Sequence, residues 1–522
     1  MKSSLPGDGC YFYQVLISIL LFADDIVLLA SSPDRLQRLL DGLALFCDQR
    51  QLVVNLGKTR VMVFNCLKTS HLHFIFQGQE IEITSSYLYL GVLFSGPRFS
   101  MRPAIQPRVN KGMGSLALLE KQCFKHHFQY TPSKLSLLDA LVRPIVLYGS
   151  VVWGPSLLSS DWASIERVQT LFLRRIIRCH RSTPHSIILA EFGAHPFRLA
   201  AIFDLVWFLH RLRGFADMAG DRDRYSYLAY CSSVSTAAVE SGARARCWYA
   251  QVSSLLSSIG IDIDHLPPFQ FSLDAPAHLL PSRQELNEHV RLDIYRCYIT
   301  ATWVNPPGGL RPRMSFYATH FLEISDGIIT RPSYLSRRWS HALRISLGSF
   351  RVGSHRLRAQ SDHQIAREER TCVFCTSGEV ENEAHFLFRC PIYYEIRGRF
   401  FCLFRECFSL YDFFSYYDQR CLALYLREAT MLRDSMIQTP LPHPYSSTQL
   451  ITAFFTPLSP LRGVKRPSSS IRLDELSRRV RSRSTYMHQR HFSGTGRRQY
   501  NTSMHRHMFH AMTDFFLPKK AS

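Results

Sequence analysis

Two groups of side chains have the types and spacing of chemistry. The first is the adjacent pair Asp24-Asp25, set inside the otherwise apolar run ISILLFADDIVLLA over 17–30. Neighbouring carboxylates concentrate negative charge that cations must neutralise. Nucleotidyl transfer by a two-metal route needs such carboxylates on a rigid element, because two Mg2+ ions must sit roughly 4 Å apart. Asp-Asp alone is common in surface turns; apolar flanks on both sides make this pair more specific. The second group is Cys372, Cys375, His385 and Cys390, spaced C-x2-C-x9-H-x4-C. Two thiolates from one tight knuckle, closed by a histidine and a third thiolate, make a tetrahedral zinc site. A full set of protein ligands argues for a structural centre, since catalytic zinc keeps a position open.

The elements that must position these groups follow from local pattern. Residues 17–30 read as two short β-rich strands joined at the acidic pair, a hairpin buried on both flanks with the charge at its tip. Ser32-Pro33-Asp34 supplies an N-cap, a proline at the first helical position and an acid in the first turn, and Leu36, Leu39, Leu40, Leu43, Phe46 and Cys47 follow at helical spacing. Leu52-Val53-Val54, a loop from Asn55 to Lys58, and β-leaning segments at 60–65, 71–83 and 87–94 come next. The implied class is α+β, an antiparallel sheet with a helix packed on it, followed by a mainly helical region and a small zinc-binding module. Apolar repeats through Leu116–Leu119, Leu135–Leu147, Ile165–Ile177 and Ile187–Leu212 carry the helical part. The expected divisions are 1–100, 101–213, a helical linker region over 214–330 broken at Pro267-Pro268 and Pro306-Pro307, a basic zinc-binding region over 331–435, and a tail over 436–522. Within that tail, 461–500 holds 11 Lys or Arg against 2 acids, a composition that buries too little apolar surface to offset chain entropy.

The whole chain of 522 residues carries a formal net charge of +21 and a pI near 9.6. An anionic polymer is the favoured partner, and nucleic acid the leading candidate; a solvated basic surface is the bland alternative. Arg344, Arg351, Arg356, Arg358, Arg367 and Arg370 are expected to contact phosphates, with Tyr334 and Trp339 available for base stacking. Fourteen scattered cysteines lack the dense spacing of a secreted disulfide scaffold. Lys2 and the apolar run from Tyr11 to Ala23 imitate a signal peptide, but the run continues through Asp24 and Asp25, each costing about 3 kcal/mol at the centre of a membrane helix. Neither signal peptide nor membrane span is expected, and the expected location is nucleus and cytoplasm.

LLFADDIVLLA resembles the [FY]-A-D-D hairpin of reverse transcriptases. The next segments are similar in order: the helix over 33–50 with Leu52-Val53-Val54-Asn55-Leu56-Gly57-Lys58-Thr59 resembles the following palm motif, helix, strand and N-x-x-K-T, and Tyr87-Leu88-Tyr89-Leu90-Gly91-Val92 resembles the primer grip. Leu141 to Gly149 with Trp153-Gly154, the helix from Ile165 to Arg178, and Glu383 to Pro391 look like the post-palm and C-terminal zinc regions of LINE-type non-LTR retrotransposons. The resemblance implies an RNA-directed DNA polymerase by ancestry, with RNA template and target DNA as partners and Mg2+ and Zn2+ as metals. It implies Asp24 and Asp25 as Mg2+ ligands. Lys58 would sit near the triphosphate, where a cation compensates charge on the transferring phosphoryl group. Tyr89, Leu90 and Gly91 would lie at the nucleic acid, the glycine allowing close approach of its backbone.

One part of that pattern is missing. The family needs another aspartate on an earlier palm strand, and upstream there is only Asp8, sixteen residues before Asp24 in a Gly-rich opening. The expectation is a truncated reverse transcriptase that does not polymerise by itself, unless a separate polypeptide supplies the rest. The alternative is a catalytically dead RNA- or DNA-binding zinc protein derived from such an element. An unrelated zinc-binding structural protein is a third reading.

Overall fold

The computed structural model describes residues 8–438 apart from 13–14, 67–68, 70, 97–99, 127, 129, 215–224, 240–246, 260–282, 362–363, 406, 408 and 417. The chain divides into two units, Met1–Pro442 and His443–Ser522. The basic stretch over 461–500 and the break at Pro267-Pro268 lie outside the described residues.

The apolar opening forms two successive antiparallel hairpins, β1 (Cys10–Phe12) with β2 (Val15–Ile17), then β3 (Ile19–Phe22) with β4 (Asp25–Leu28). Phe22 pairs with Asp25, so Ala23 and Asp24 are the turn. The acidic pair thus sits at the tip, as expected. The flanks differ from expectation. Leu21 and Ile26 face each other across the hairpin and are 46% and 40% exposed, because partners in register project to the same face and no described element covers that face.

Helix α1 (Pro33–Arg50) starts where the N-cap pattern puts it: Ser32 Oγ accepts from the Arg35 amide at 3.4 Å, and Pro33 takes the first turn. Of its buried residues, Leu39, Leu40, Leu43 and Cys47, the last three pack on Val61, Phe74, Phe76 and Ile81. Those residues lie on or beside short strands: β5 (Val61–Met62) parallel to β8 (Ile83–Thr84), and the hairpin β6 (Ile75–Phe76) with β7 (Gln79–Glu80). The hairpin β9 (Ser86–Tyr89) with β10 (Val92–Ser95) follows. The β-leaning segments are therefore strands, in shorter pieces than their apolar spans. Leu52-Val53-Val54 pairs with nothing described as sheet.

The chain then turns helical through α2 (Ile105–Lys125), α3 (Thr131–Leu141), α4 (Arg143–Val146), α5 (Ser150–Trp153), α6 (Ser159–Ile177), α7 (His185–Glu191) and α8 (Phe197–Gly214). The apolar repeat over Leu135–Leu147 is split into α3 and α4 just before Pro144, whose ring and missing amide prevent a continuous ladder. Region 214–330 is helical where described: α9 (Tyr225–Val239), α10 (Trp248–Ser257), α11 (Arg283–Ile299) and α12 (Pro312–His320), then the small hairpin β11 (Ile324–Ser325) with β12 (Ile328–Ile329). α13 (Ser333–Ser336), α14 (His341–Arg351), α15 (Arg358–Ser361), α16 (Tyr394–Arg399), α17 (Leu410–Phe414) and α18 (Gln419–Gln438) complete the first unit.

One hydrophobic core runs from Val92 through Trp153, Phe172, Ile188 and Leu347 to Phe386, Phe413 and Leu426. The Cys/His segment is packed into the same core as the helices of 101–213, so it is not a free-standing small module. Among the described residues no single helix is long and apolar enough to cross a membrane.

Candidate metal centre and nucleic-acid interface

Cys372, Cys375, His385 and Cys390 converge: one ligand atom from each lies within 4.8 Å of all the others. Tetrahedral zinc with Zn–S bonds near 2.3 Å places sulfurs about 3.8 Å apart, so the donor set and its size fit zinc. The local backbone explains the spacing. Cys372 and Cys375 occupy a loop closed by Cys372 N–H to Glu379 O at 2.8 Å and Glu381 N–H to Arg370 O at 2.9 Å, with Thr371 bridged to Val380. His385 and Cys390 are joined by one wide turn, the Cys390 amide donating to His385 O at 2.8 Å. That five-residue step belongs to a π-turn, and it brings two ligands of x4 spacing to one side. His385 and Cys390 have no exposed surface and Cys372 is buried. A hydrogen bond from the Cys390 thiol holds the Cys372 thiol well below its ordinary range, at about 5, and that same bond, with burial, raises Cys390.

The imidazole is oriented from both ends. His385 Nε2 lies 3.4 Å from Cys375 Sγ, and Nδ1 lies 3.1 Å from Glu379 Oε2. If Nε2 offers its lone pair to a metal, Nδ1 carries the proton and donates it to Glu379, the carboxylate–histidine arrangement that fixes a ligand's tautomer. Glu379 is itself paired with Arg389 at 2.9 Å. Two further acids brace the loop. Glu381, fully buried, takes both arms of Arg433 at 2.6 and 2.8 Å. Burial would raise the Glu383 carboxyl, but hydrogen bonds from His355 and Gln360 hold it at about 2. The sequence reading missed these supports. Their signal is the alternation Glu379, Glu381, Glu383 between the two halves of the ligand set.

The Lys58 turn and the β9–β10 hairpin are joined, and the acidic pair lies at its own hairpin tip. Asp24 and Asp25 are exposed at the hairpin tip, and Lys58 is exposed on a turn in which the Lys58 and Thr59 amides both donate to Asn55 O at 3.1 Å. Tyr87 Oη donates to Lys58 O at 3.3 Å, joining that turn to the β9–β10 hairpin. Burial raises the Tyr89 phenol, and the charge of Asp25 adds to the effect. Asp8 is engaged elsewhere, accepting from Arg38 at 2.7 Å through each oxygen. Among the described residues, the Cys/His set is the group of three or more metal-capable side chains. Among the described residues Asp24 and Asp25 belong to no group of three or more such side chains.

Gly91 needs a different account from the expected one. Leu90 and Gly91 have φ of 43° and 76°, the paired positive values of a type I′ turn. A Cβ at Gly91 would lie 3.0 Å from Tyr148 Cε1. Tyr148 Oη donates to Leu90 O at 2.8 Å, and the Arg108 guanidinium donates to Gly91 O while lying over the Tyr148 ring, 4.4 Å from its centroid. The close approach that demands glycine is made by the protein's own tyrosine. Gly91→Ala is expected to cost roughly 1–2 kcal/mol, from the left-handed backbone and the crowded ring, read as a lower midpoint in urea denaturation.

The basic residues divide sharply. Arg344 and Arg351 are 0% and 6% exposed, which removes them from any polynucleotide-binding surface. Arg351 Nε donates to Glu191 Oε1 at 2.7 Å, and Glu191 also accepts from Tyr317 and Tyr334, each at 2.7 Å. Tyr334 and Trp339 are likewise buried and cannot stack on bases. Arg358 donates to Thr371 O at 2.7 Å, and Arg370 donates to Ile365 O and Ala359 O; both are partly buried and hold backbone carbonyls on and near the loop that leads into the knuckle. Arg356 and Arg367 are exposed, as are Arg337 and Arg338, which the sequence reading did not single out. Helical amphipathicity separates these classes only weakly, because Arg344 and Arg351 sit a helical repeat of seven apart on the buried face of α14.

No family model matches the chain. Over 140 residues it is 28% identical to an uncharacterized transposon-derived protein of Caenorhabditis elegans, a match covering 25% of this chain and 47% of the relative. The chain thus spans about half the length of the curated relative it matches.

Proposed function

We propose that this chain is a nucleic-acid-binding protein of LINE-type reverse-transcriptase descent, held together by a structural zinc centre, that engages RNA template or target DNA and does not extend a primer alone. The observation that carries the reading is spatial. The Lys58 turn and the Tyr87–Gly91 hairpin, recognised separately, are joined by the bond from Tyr87 to Lys58, and the charge of Asp25 at the tip of the acidic hairpin acts on Tyr89. Likeness to a protein named as transposon-derived supports the mobile-element origin. The net charge of +21 supports a polyanionic partner. The exposed arginines 337, 338, 356 and 367 are the candidates for phosphate contact in place of the buried ones.

In this reading Asp24 and Asp25 are remnants of a metal-binding set that another segment or polypeptide would complete, with Lys58 placed for a triphosphate. The test is primer extension on an RNA template with Mg2+, run on the full chain beside an Asp24→Ala/Asp25→Ala variant, with binding measured in parallel. Binding that falls steeply with salt, by tenfold or more between about 50 and 200 mM, and no extension are expected. Extension by the native chain that disappears in the variant would show a working polymerase. Salt-independent or undetectable binding would leave the third reading, a zinc-binding structural protein.

A further inference from the structure

Apart from the metal centre, the fold brings another pair of thiols into contact. Cys402 Sγ lies 3.7 Å from Cys421 Sγ, although the two residues are 19 positions apart. A disulfide needs a separation of about 2.05 Å, and rotation of the two side chains between rotamers is enough to close the remaining gap of roughly 1.7 Å.

The backbones that carry the two sulfurs are fixed. Cys402 sits in the single 3-10 turn Phe401–Leu403, closed by Leu403 N–H to Phe400 O at 2.9 Å and Phe404 N–H to Phe401 O at 3.0 Å. Cys421 sits in the first turn of α18, where its amide and that of Arg420 donate to Asp418 Oδ1 at 3.1 and 3.0 Å, as at a helix N-cap. The residues after the two cysteines, Leu403 and Leu422, are 2% and 0% exposed and belong to the main core. Phe400 and Phe404 meet Tyr425 of α18 edge-on, with centroids 5.8 and 5.1 Å away. Arg399 at the end of α16 pairs with Glu428 of α18 at 2.7 Å. The contact between the sulfurs thus follows from the packing of α16, the turn and α18 on one another.

The two thiols are unequal. Cys402 is exposed and Cys421 half-buried. Burial, then the hydrogen bond and charge of Cys402, push the Cys421 thiol up to about 12, so Cys421 keeps its proton near neutral pH. A solute therefore meets Cys402 first. Cys407, the next cysteine along the chain, directs its thiol to Ser409 O at 3.3 Å instead.

We propose that Cys402 and Cys421 form a site of reversible oxidation, at which a small disulfide such as glutathione disulfide converts the two thiols to a bond tying α18 to the turn after α16. The Cys402 thiolate attacks one sulfur of the oxidant; a mixed disulfide forms, the oxidant's own S–S bond breaks, and one glutathione thiolate leaves. Cys421 then gives up its proton and attacks the Cys402 sulfur, expelling the second glutathione. Two protein thiols are oxidised, one glutathione disulfide is reduced, and the two cysteine protons end on the two glutathione thiols. With Cys402 already in the mixed disulfide, the bond and charge by which it raised Cys421 are gone, which eases the second step. That step is also intramolecular, between groups already in place. The product fastens the helix whose Arg433 holds Glu381 of the metal loop. The site does not depend on the function proposed above.

The test holds the full native chain, with zinc present, at stepwise ratios of glutathione disulfide to glutathione, then quenches, alkylates with N-ethylmaleimide and maps the peptides by mass spectrometry. Cys402 and Cys421 should lose alkylation together and appear as one crosslinked pair, which excess glutathione restores to two free thiols. In Cys421→Ser the reaction should stop with glutathione attached to Cys402, and in Cys402→Ser the Cys421 thiol should stay free. Circular dichroism in reducing buffer checks the fold of both variants; mapping of the native chain decides the question without them if either fails to fold. A native chain that forms no Cys402–Cys421 crosslink at the most oxidising ratio overturns the site. So does a Cys402 that pairs equally with Cys407, or a crosslink that forms only after the chain is unfolded in urea. Because no nucleic acid is present, failure here leaves the nucleic-acid reading standing.

Discussion

Removing zinc with a high-affinity chelator, or replacing Cys390 by serine, is expected to unfold the segment around the Cys/His centre and to lower the thermal midpoint of the first unit by many degrees. Structural zinc contributes about 10–16 kcal/mol of apparent binding free energy in isolated finger peptides at pH 7, as large as the whole stability of an ordinary domain. The coupling should be strong here because the ligands are not on a surface loop. Cys390 and His385 are fully buried, and their neighbours Phe386 and Leu387 belong to the main core, with Phe386 stacked on Phe350 at 5.8 Å. Loss of the metal would leave thiolates and an imidazole in an apolar setting. Elemental analysis should give zinc in the purified chain, and Glu379→Gln should lower zinc affinity roughly 10- to 100-fold while the fold persists at excess metal. A zinc-free chain with an unaltered midpoint would sink the structural role.

Arg351→Met is expected to destabilise the first unit by roughly 3–5 kcal/mol, among the largest effects available to a single substitution outside the metal centre. Glu191 has 0% exposed surface and accepts hydrogen bonds from Arg351, Tyr317 and Tyr334. Taking away the guanidinium leaves a buried carboxylate with two neutral donors and no cation, and it must then either bind a proton or bear the desolvation cost. Glu191→Leu combined with Arg351→Met should recover much of the loss, because an apolar pair of similar volume removes both charges. Urea denaturation of the two single variants and the double gives the coupling directly. A loss below about 1 kcal/mol in Arg351→Met would mean that the ion pair is dispensable to the core.

The extent to which the sequence could be read depended on how far apart the interacting residues lie. The acidic turn, the Ser32 cap, the Asn55–Thr59 turn and the metal knuckle are each closed by residues within a few positions of one another. Type and spacing therefore specify them, and the expected acidic hairpin, first helix and ligand set appear in the described structure. The exposed face of the acidic hairpin and the role of Gly91 were not readable in that way. An apolar strand says that burial is favourable but not which element provides it, and a glycine in a turn says that something comes close but not whether it is a ligand or Tyr148, 58 positions from the Leu90 carbonyl it holds.

By itself, then, the amino-acid order determined the local chemistry: a paired carboxylate tip, a basic turn, a four-ligand Cys/His centre and a basic overall charge. Tertiary structure alone decided which charges are free to act. Arg351 and its partner Glu191 are separated by 160 residues, and Arg433 and Glu381 by 52. No local pattern distinguishes an arginine facing solvent from one that a distant carboxylate draws into the core, since the electrostatic gain and the desolvation cost that settle the matter exist only once the two segments have packed together.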